Sequence, residues 1–260
     1  MRLKDIADLA KNPNLISGIH NYCDRWCERC PFTARCLLYA TEEADSDNDP
    51  AIRDMSNAAF WQKLTSTFEE THEMISAMAK EKGVDLSPRV LAEEQAQYDK
   101  QRRQARNHPL AKAAEQYALD VNEWFKNDTQ QMEVFSDMAA GSDEVPSDEN
   151  ASDNVAVIRW YQFFIAAKLI RGLVSRLDED EYLGEDDSRD SDGSVKAALI
   201  AVDRSLAAWK LMDEYLSENP DSIHKLLMDL EKLRLLAERE FPEARDFIRP
   251  GFDEDLDKLH

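Results

Sequence analysis

Residues 155–174 read VAVIRWYQFFIAAKLIRGLV, and the fold turns on how that stretch is read. Its bulky apolar side chains fall on most sides of a 3.6-residue period, too many for a helix with one flank in water. Such a helix is stable only at the centre of others. A membrane span is the competing reading. It fails on Arg159, Gln162, Lys168 and Arg171, because a charge at mid-bilayer costs about 3 kcal/mol or more. Asp153 or Asn154 is positioned to cap the helix at its start.

Further helices are expected on both sides. Downstream, Ser194 is the expected N-cap of a helix over 195–216, whose stripe is Val195, Leu199, Val202, Leu206 and Trp209. Asn219-Pro220 opens a helix to about 240 with Ile223, Leu226, Leu227, Leu230, Leu233 and Ala237 on one face. The tail from Phe241 reads as a docked arm with a loose end. Upstream, Pro109 sits in the first turn of a helix running to about residue 140. Residues 89–107 are polar and helix-favouring. Residues 51–81 carry the stripe Ile52, Met55, Ala59, Leu64, Phe68, Ile75 and Met78, and Gly83 closes that helix. Short helices are expected at 2–11, ended by Asn12-Pro13, and at 36–44.

With only seven glycines and little apolar/polar alternation, the chain is predicted to be an all-α multi-helix bundle preceded by a cysteine-rich metal-binding segment. The predicted organisation is a cysteine-rich segment at 1–44, a helical region at 51–140, an acidic flexible linker at 141–152, and a C-terminal helical bundle at 153–260 that packs on 51–140. A second acidic loop is expected at 178–192.

The 260 residues suffice for a buried core without disulfides, and the net charge is −21. Binding a nucleic-acid duplex requires Lys and Arg to neutralise phosphates, so this balance argues against nucleic acid as a partner and against docking on anionic lipid. It leaves room for a basic protein partner. Residues 1–40 depart from the average, with six Lys or Arg against four acidic residues. The start, MRLKDIADLAKN, lacks the apolar run of a signal peptide, so a cytoplasmic, reducing location is expected. There, clustered thiols are ligands more often than disulfides.

All four cysteines lie in HNYCDRWCERCPFTARCLLY, 20–39, at Cys23, Cys27, Cys30 and Cys36. Four nearby thiolates satisfy either tetrahedral Zn²⁺ or the corners of a [4Fe-4S] cluster. On an unbroken helix, Cys23, Cys27 and Cys30 would form one stripe of inert core thiols, spread over ~10 Å at 1.5 Å per residue. Binding one metal therefore requires the chain to bend, or the site to be larger than one ion, and Pro31 permits a break. Zinc sites usually show two separated C-x2-C pairs, and only one is present, so the cluster is the favoured reading with Zn²⁺ as the alternative. Arg25, Arg29 and Arg35 are positioned to offset thiolate charge, Trp26 and Phe32 to cover the site, and His20 to substitute for one thiolate.

Cys27-Glu-Arg-Cys30-Pro-Phe-Thr-Ala-Arg-Cys36 resembles the C-x2-C-x5-C clasp of AddB-like nucleases and the CRISPR-associated nucleases like them. The resemblance implies a [4Fe-4S] cluster. It covers ten residues, and no nuclease core follows, so it implies no nuclease activity. Cys23-x3-Cys27-x2-Cys30 is also similar in spacing to radical SAM enzymes. However, Arg29 stands where those enzymes have an aromatic residue, and no β/α pattern follows.

Weaker candidates have ordinary readings. Glu69-Glu70-Thr71-His72 holds one E-x-x-H where a di-iron site needs two, so a solvated helix face is expected. Residues 188–199 imitate a calcium loop but end on Leu199 instead of Glu, so a turn is expected. Arg159, Lys168, Arg171 and Asp203 lie on apolar helices, and either pair in the core or line a pocket for an anionic small molecule. No P-loop or nucleophile elbow occurs. The leading functional expectation is a helical iron–sulfur protein in redox, sensing or accessory roles. The alternatives are a zinc-stabilised, non-enzymatic interaction protein, and a helical enzyme whose pocket is lined by Arg159, Lys168, Arg171 and Asp203.

Overall fold

A computed structural model of the chain describes residues 9–45, 52, 54–127, 149–182, 190–215 and 220–254. These hold seven α-helices and no strand. The helices are α1 (Leu37–Asp45), α2 (Ala58–Lys82), α3 (Pro88–Asn107), α4 (Pro109–Asn127), α5 (Glu149–Tyr182), α6 (Asp190–Tyr215) and α7 (Pro220–Glu240). The all-α expectation is met. Among the described residues no helix is long and apolar enough to cross a membrane. Contacts divide the chain into two units, Met1–Asp99 with Arg249–His260, and Lys100–Ile248.

In the second unit α5 packs against α4 and α6, and α7 packs against α4 and α6. Ile158, Tyr161, Ile165 and Leu169 of α5 are essentially inaccessible, but Trp160 and Phe163 of the same run are exposed, so the helix keeps one flank in water and is not covered on most sides as expected. Trp209 of α6 is fully buried, edge-on to Trp124 at 4.9 Å, and its Nε1 donates to Tyr117 Oη at 3.0 Å. Gln162 reaches across from α5 to donate to Ala118 O of α4 at 2.8 Å. Gly172 lets α5 and α6 approach closely, since a Cβ there would lie 2.5 Å from Val195 Cγ2.

Several boundaries differ from expectation. Helix α6 begins at Asp190, so Ser194 is a fully buried residue inside the helix and not its cap. The acidic Asp190 and Asp192 suit the positive end of the helix dipole and extend the helix past the predicted cap. Helix α5 takes in 149–152 of the predicted linker and 178–182 of the predicted acidic loop. Acidic side chains tolerate helix, and only Gly or Pro would have stopped it. The predicted helix at 2–8, the extension of α4 toward 140 and the linker residues 141–148 lie outside the described residues.

In the first unit, Asn57 caps α2 by accepting from Ala59 N–H at 3.0 Å, and Gly83 ends it at φ 68°. Between these ends α2 buries only Ala79. The stripe read as core is largely exposed: Met55, Phe68, Ile75 and Met78 all face solvent.

Candidate metal centre

The cysteine segment has almost no regular structure. Residues 9–35 are turns and 3₁₀ geometry, held at two apolar anchors, Ile16 and Ile19, which are 8% and 2% exposed. Ile16 N–H donates to Arg35 O at 3.0 Å, and Arg35 Nε donates to Asn14 O at 3.2 Å, which closes 16–35 into a loop. From the far end of the chain Gly251 seats on these anchors. Its φ is 75°, and a Cβ there would lie 2.9 Å from both Ile16 Cδ1 and Ile19 Cδ1. This close approach lets the next residue, Phe252, meet Phe32 edge-on at 5.0 Å.

The helix that would have made the cysteines a core stripe does not form. Arg25 takes φ 61°, the left-handed region, which costs a non-glycine residue about 1–2 kcal/mol. Two 3₁₀ turns follow, Cys27–Arg29 and Thr33–Arg35. Cys30 N–H closes the first on Cys27 O at 3.1 Å, and Cys36 N–H closes the second on Thr33 O at 3.2 Å. Cys36 then leads into α1, its carbonyl accepting from Ala40 N–H at 3.0 Å. These bends turn all four cysteines onto one cavity of about 320 Å³, part of it open to solvent. None is in a disulfide and all are half-buried.

Apolar and aromatic side chains form much of the remaining wall: Ile19, Trp26, Phe32, Tyr39 and Phe252, with His20, Asp24, Arg25 and Thr33 as its polar members. Among the described residues, no three His, Cys, Asp or Glu side chains are gathered so as to hold a metal ion. All four cysteines line the cavity, but their side chains form no such group.

Electrostatics at the site are mixed. Burial raises the Cys27 thiol above its ordinary value. Arg25 opposes this, while Glu42, Cys23 and Cys30 add to it. Phe32 N–H donates to Cys30 Sγ at 3.4 Å, and Cys23 Sγ, as a thiol, donates to His20 O at 3.5 Å. Burial, and then the Arg25 charge, hold the His20 imidazole below its ordinary value. Its Nδ1 is buried with no hydrogen-bond partner. Of the three arginines expected to offset thiolate charge, only Arg25 lines the cavity, and it also pairs with Glu42 at 2.8 Å. Arg29 stacks 3.8 Å over Trp26, and Arg35 is engaged by Asn14.

The charged residues of the alternative pocket have separate partners. Arg159 lies 4.2 Å over the Phe125 ring and Lys168 is 5.5 Å from that of Phe164. Arg171 pairs with Asp190 at 3.1 Å, and Asp203 with Arg245 at 2.6 Å. Glu69 and His72 stand on the exposed part of α2. Residues 190–199 of the calcium-like stretch are helical, which removes the loop such a site needs.

Phe252 and Tyr39 escaped sequence reasoning. Tyr39 follows Cys36 by three residues on α1, one helical turn away, which spacing could have shown. Phe252 carried only the general signal of a tail that docks. No known protein family, curated protein or solved structure matches the chain.

Proposed function

We propose that this is a helical iron–sulfur protein in which Cys23, Cys27, Cys30 and Cys36 hold a [4Fe-4S] cluster used for one-electron transfer or redox sensing. The observation that carries this reading is that all the cysteine sulfur of a 260-residue chain lines one cavity. A single tetrahedral zinc ion needs its thiolates within ~2.3 Å of one point. The spacing, with one C-x2-C pair and not two separated pairs, supports a cluster over a structural zinc site. When bound, such a cluster supplies a one-electron couple whose potential depends on net charge, hydrogen bonds to sulfur and exposure.

The chain's own residues have definite parts in this reading. Each cysteine gives up its proton and presents a thiolate, so binding is coupled to pH. The Phe32 N–H bond to Cys30 Sγ stabilises negative charge on that sulfur. Trp26, Phe32, Tyr39 and Phe252 displace water from the wall. Among the described residues Arg25 brings the cation of the lining, steadied by Glu42.

Anaerobic reconstitution of the full chain tests the reading. The expected product is brown and reducible, with about four iron and four sulfide per chain, reduced to background when Cys27 and Cys30 are replaced by serine. A colourless protein that retains one zinc through purification and takes up no iron would overturn it.

A further inference from the structure

Resting on that reading, we propose that His20 is a positioning residue of the centre, its Nδ1–H donating a hydrogen bond to a sulfur of the bound group and raising its reduction potential. His20 lines the same cavity as the four cysteines, and its Nδ1 is buried without a partner. A buried polar nitrogen left unsatisfied is costly, so natural chains retain one where a ligand, ion or water completes it. A cluster of sulfide and thiolate is rich in acceptors and has no donors. A neutral imidazole with its proton on Nδ1 supplies the donor such a surface lacks.

The backbone around His20 is held for this role. Ile19, the preceding residue, is 2% exposed beneath Gly251, and its N–H bonds to Ile16 O. Its own carbonyl accepts from Cys23 Sγ in the thiol form, so the turn that carries the imidazole also carries the first cysteine. As a ligating thiolate Cys23 has no proton to give, and that contact is exchanged for the bond to the centre. The four cysteines already provide four corners, so the imidazole is not needed as a ligand.

The experiment uses the full chain, reconstituted without oxygen, as wild type, His20→Ala and His20→Asn, with iron content and midpoint potential measured for each. His20→Ala is expected to keep four iron per chain and to shift to a more negative potential. A charge-assisted hydrogen bond of ~1.5 kcal/mol corresponds to a roughly tenfold tilt of the oxidised-to-reduced ratio at fixed poise, or ~59 mV for a one-electron couple. His20→Asn, whose side-chain N–H₂ reaches a similar position to Nδ1–H, is expected to recover much of the shift. An unchanged potential at full iron content in His20→Ala overturns the proposal. Loss of iron in both variants also overturns it, because that result makes His20 a ligand. A wild-type chain that takes up no cluster sinks the underlying reading, and is seen before any variant is made.

Discussion

The helices α4–α7 and the cysteine segment at 9–45 are held together by different physics. In α4–α7 nearly every helical turn sends a side chain such as Val121, Ile165, Trp209 or Leu230 into a space sealed from water. The cysteine segment has two buried apolar residues, Ile16 and Ile19, and otherwise relies on turns and backbone hydrogen bonds. Burial of apolar surface contributes ~25 cal/mol per Å², so the helical region has a large reserve and the segment has little. A segment so poor in core is the place where an inorganic cross-link contributes most, because the bound state then supplies the folding free energy.

The largest expected effect breaks the weaker of these two regions. Stripping the proposed centre with a chelator should remove hydrogen-exchange protection of the amides at Ile16, Cys30 and Cys36, whose hydrogen bonds close the loop and its two turns. Amides inside α5 and α6 should exchange as before. Equal protection of the segment with and without its centre would show that the turns are self-sufficient. The stronger region is attacked at Trp209. Replacing it with alanine should cost about 3–5 kcal/mol in denaturant unfolding of α4–α7, because it empties a fully buried site and removes the indole donor to the Tyr117 hydroxyl. The iron content of the reconstituted chain should not follow.

A smaller effect probes the seam between α5 and α6. In Gly172→Ala the new Cβ would meet Val195 Cγ2 at 2.5 Å and the backbone oxygen of Ser191 at 3.1 Å. Overpacking of this kind costs about 1–3 kcal/mol. The valine methyl is the nearer obstacle and the backbone cannot give way. Gly172→Ala and Val195→Ala together should therefore be less damaging than the sum of the two alone, as read from a double-mutant cycle in urea.

The same contrast explains what the sequence disclosed. Residues 155–174 mark α5 as a core helix, although Trp160 and Phe163 on its outer flank stay exposed, and Pro109 and Gly83 mark helix ends because backbone geometry leaves them little choice. The stripe on α2 has the same 3.6-residue spacing, yet Phe68 and Ile75 remain exposed. Periodicity shows which face of a helix is apolar and says nothing of what covers it. At the cysteine site, spacing picked out the four residues and the need for a bend. The bend itself came from Arg25 in a conformation that favours glycine, which no propensity foretells. Phe252 reaches the wall from the other end of the chain because Gly251 can approach two isoleucines, and one sequence read in order does not contain that pairing.

The smallest effect lies on the surface of the helical region, where Lys225 of α7 donates to Asp120 of α4. Burial alone would raise the Asp120 carboxyl. The hydrogen bonds from Lys225 and Gln116, with the lysine charge, outweigh it and hold the group below its ordinary value. The hydrogen bonds that Lys225 donates to Asp120 and Asp229 in turn raise the lysine. A carboxyl lowered on folding stabilises the native state at pH above its unfolded value, and that contribution is lost as pH falls through the folded one. A lysine raised on folding contributes fully below its unfolded value and loses that contribution as pH rises through the folded one. The pair is therefore worth most across the neutral range. Lys225 is 60% exposed, so solvent and salt screen the pair and the gain is under ~1 kcal/mol. Urea unfolding of wild type and Asp120→Asn should differ by that small amount at neutral pH and in low salt. The difference should close in acid below the ordinary carboxylate range. A wild-type advantage that persists unchanged in acid would mean that the link between α4 and α7 is one of shape and not of charge.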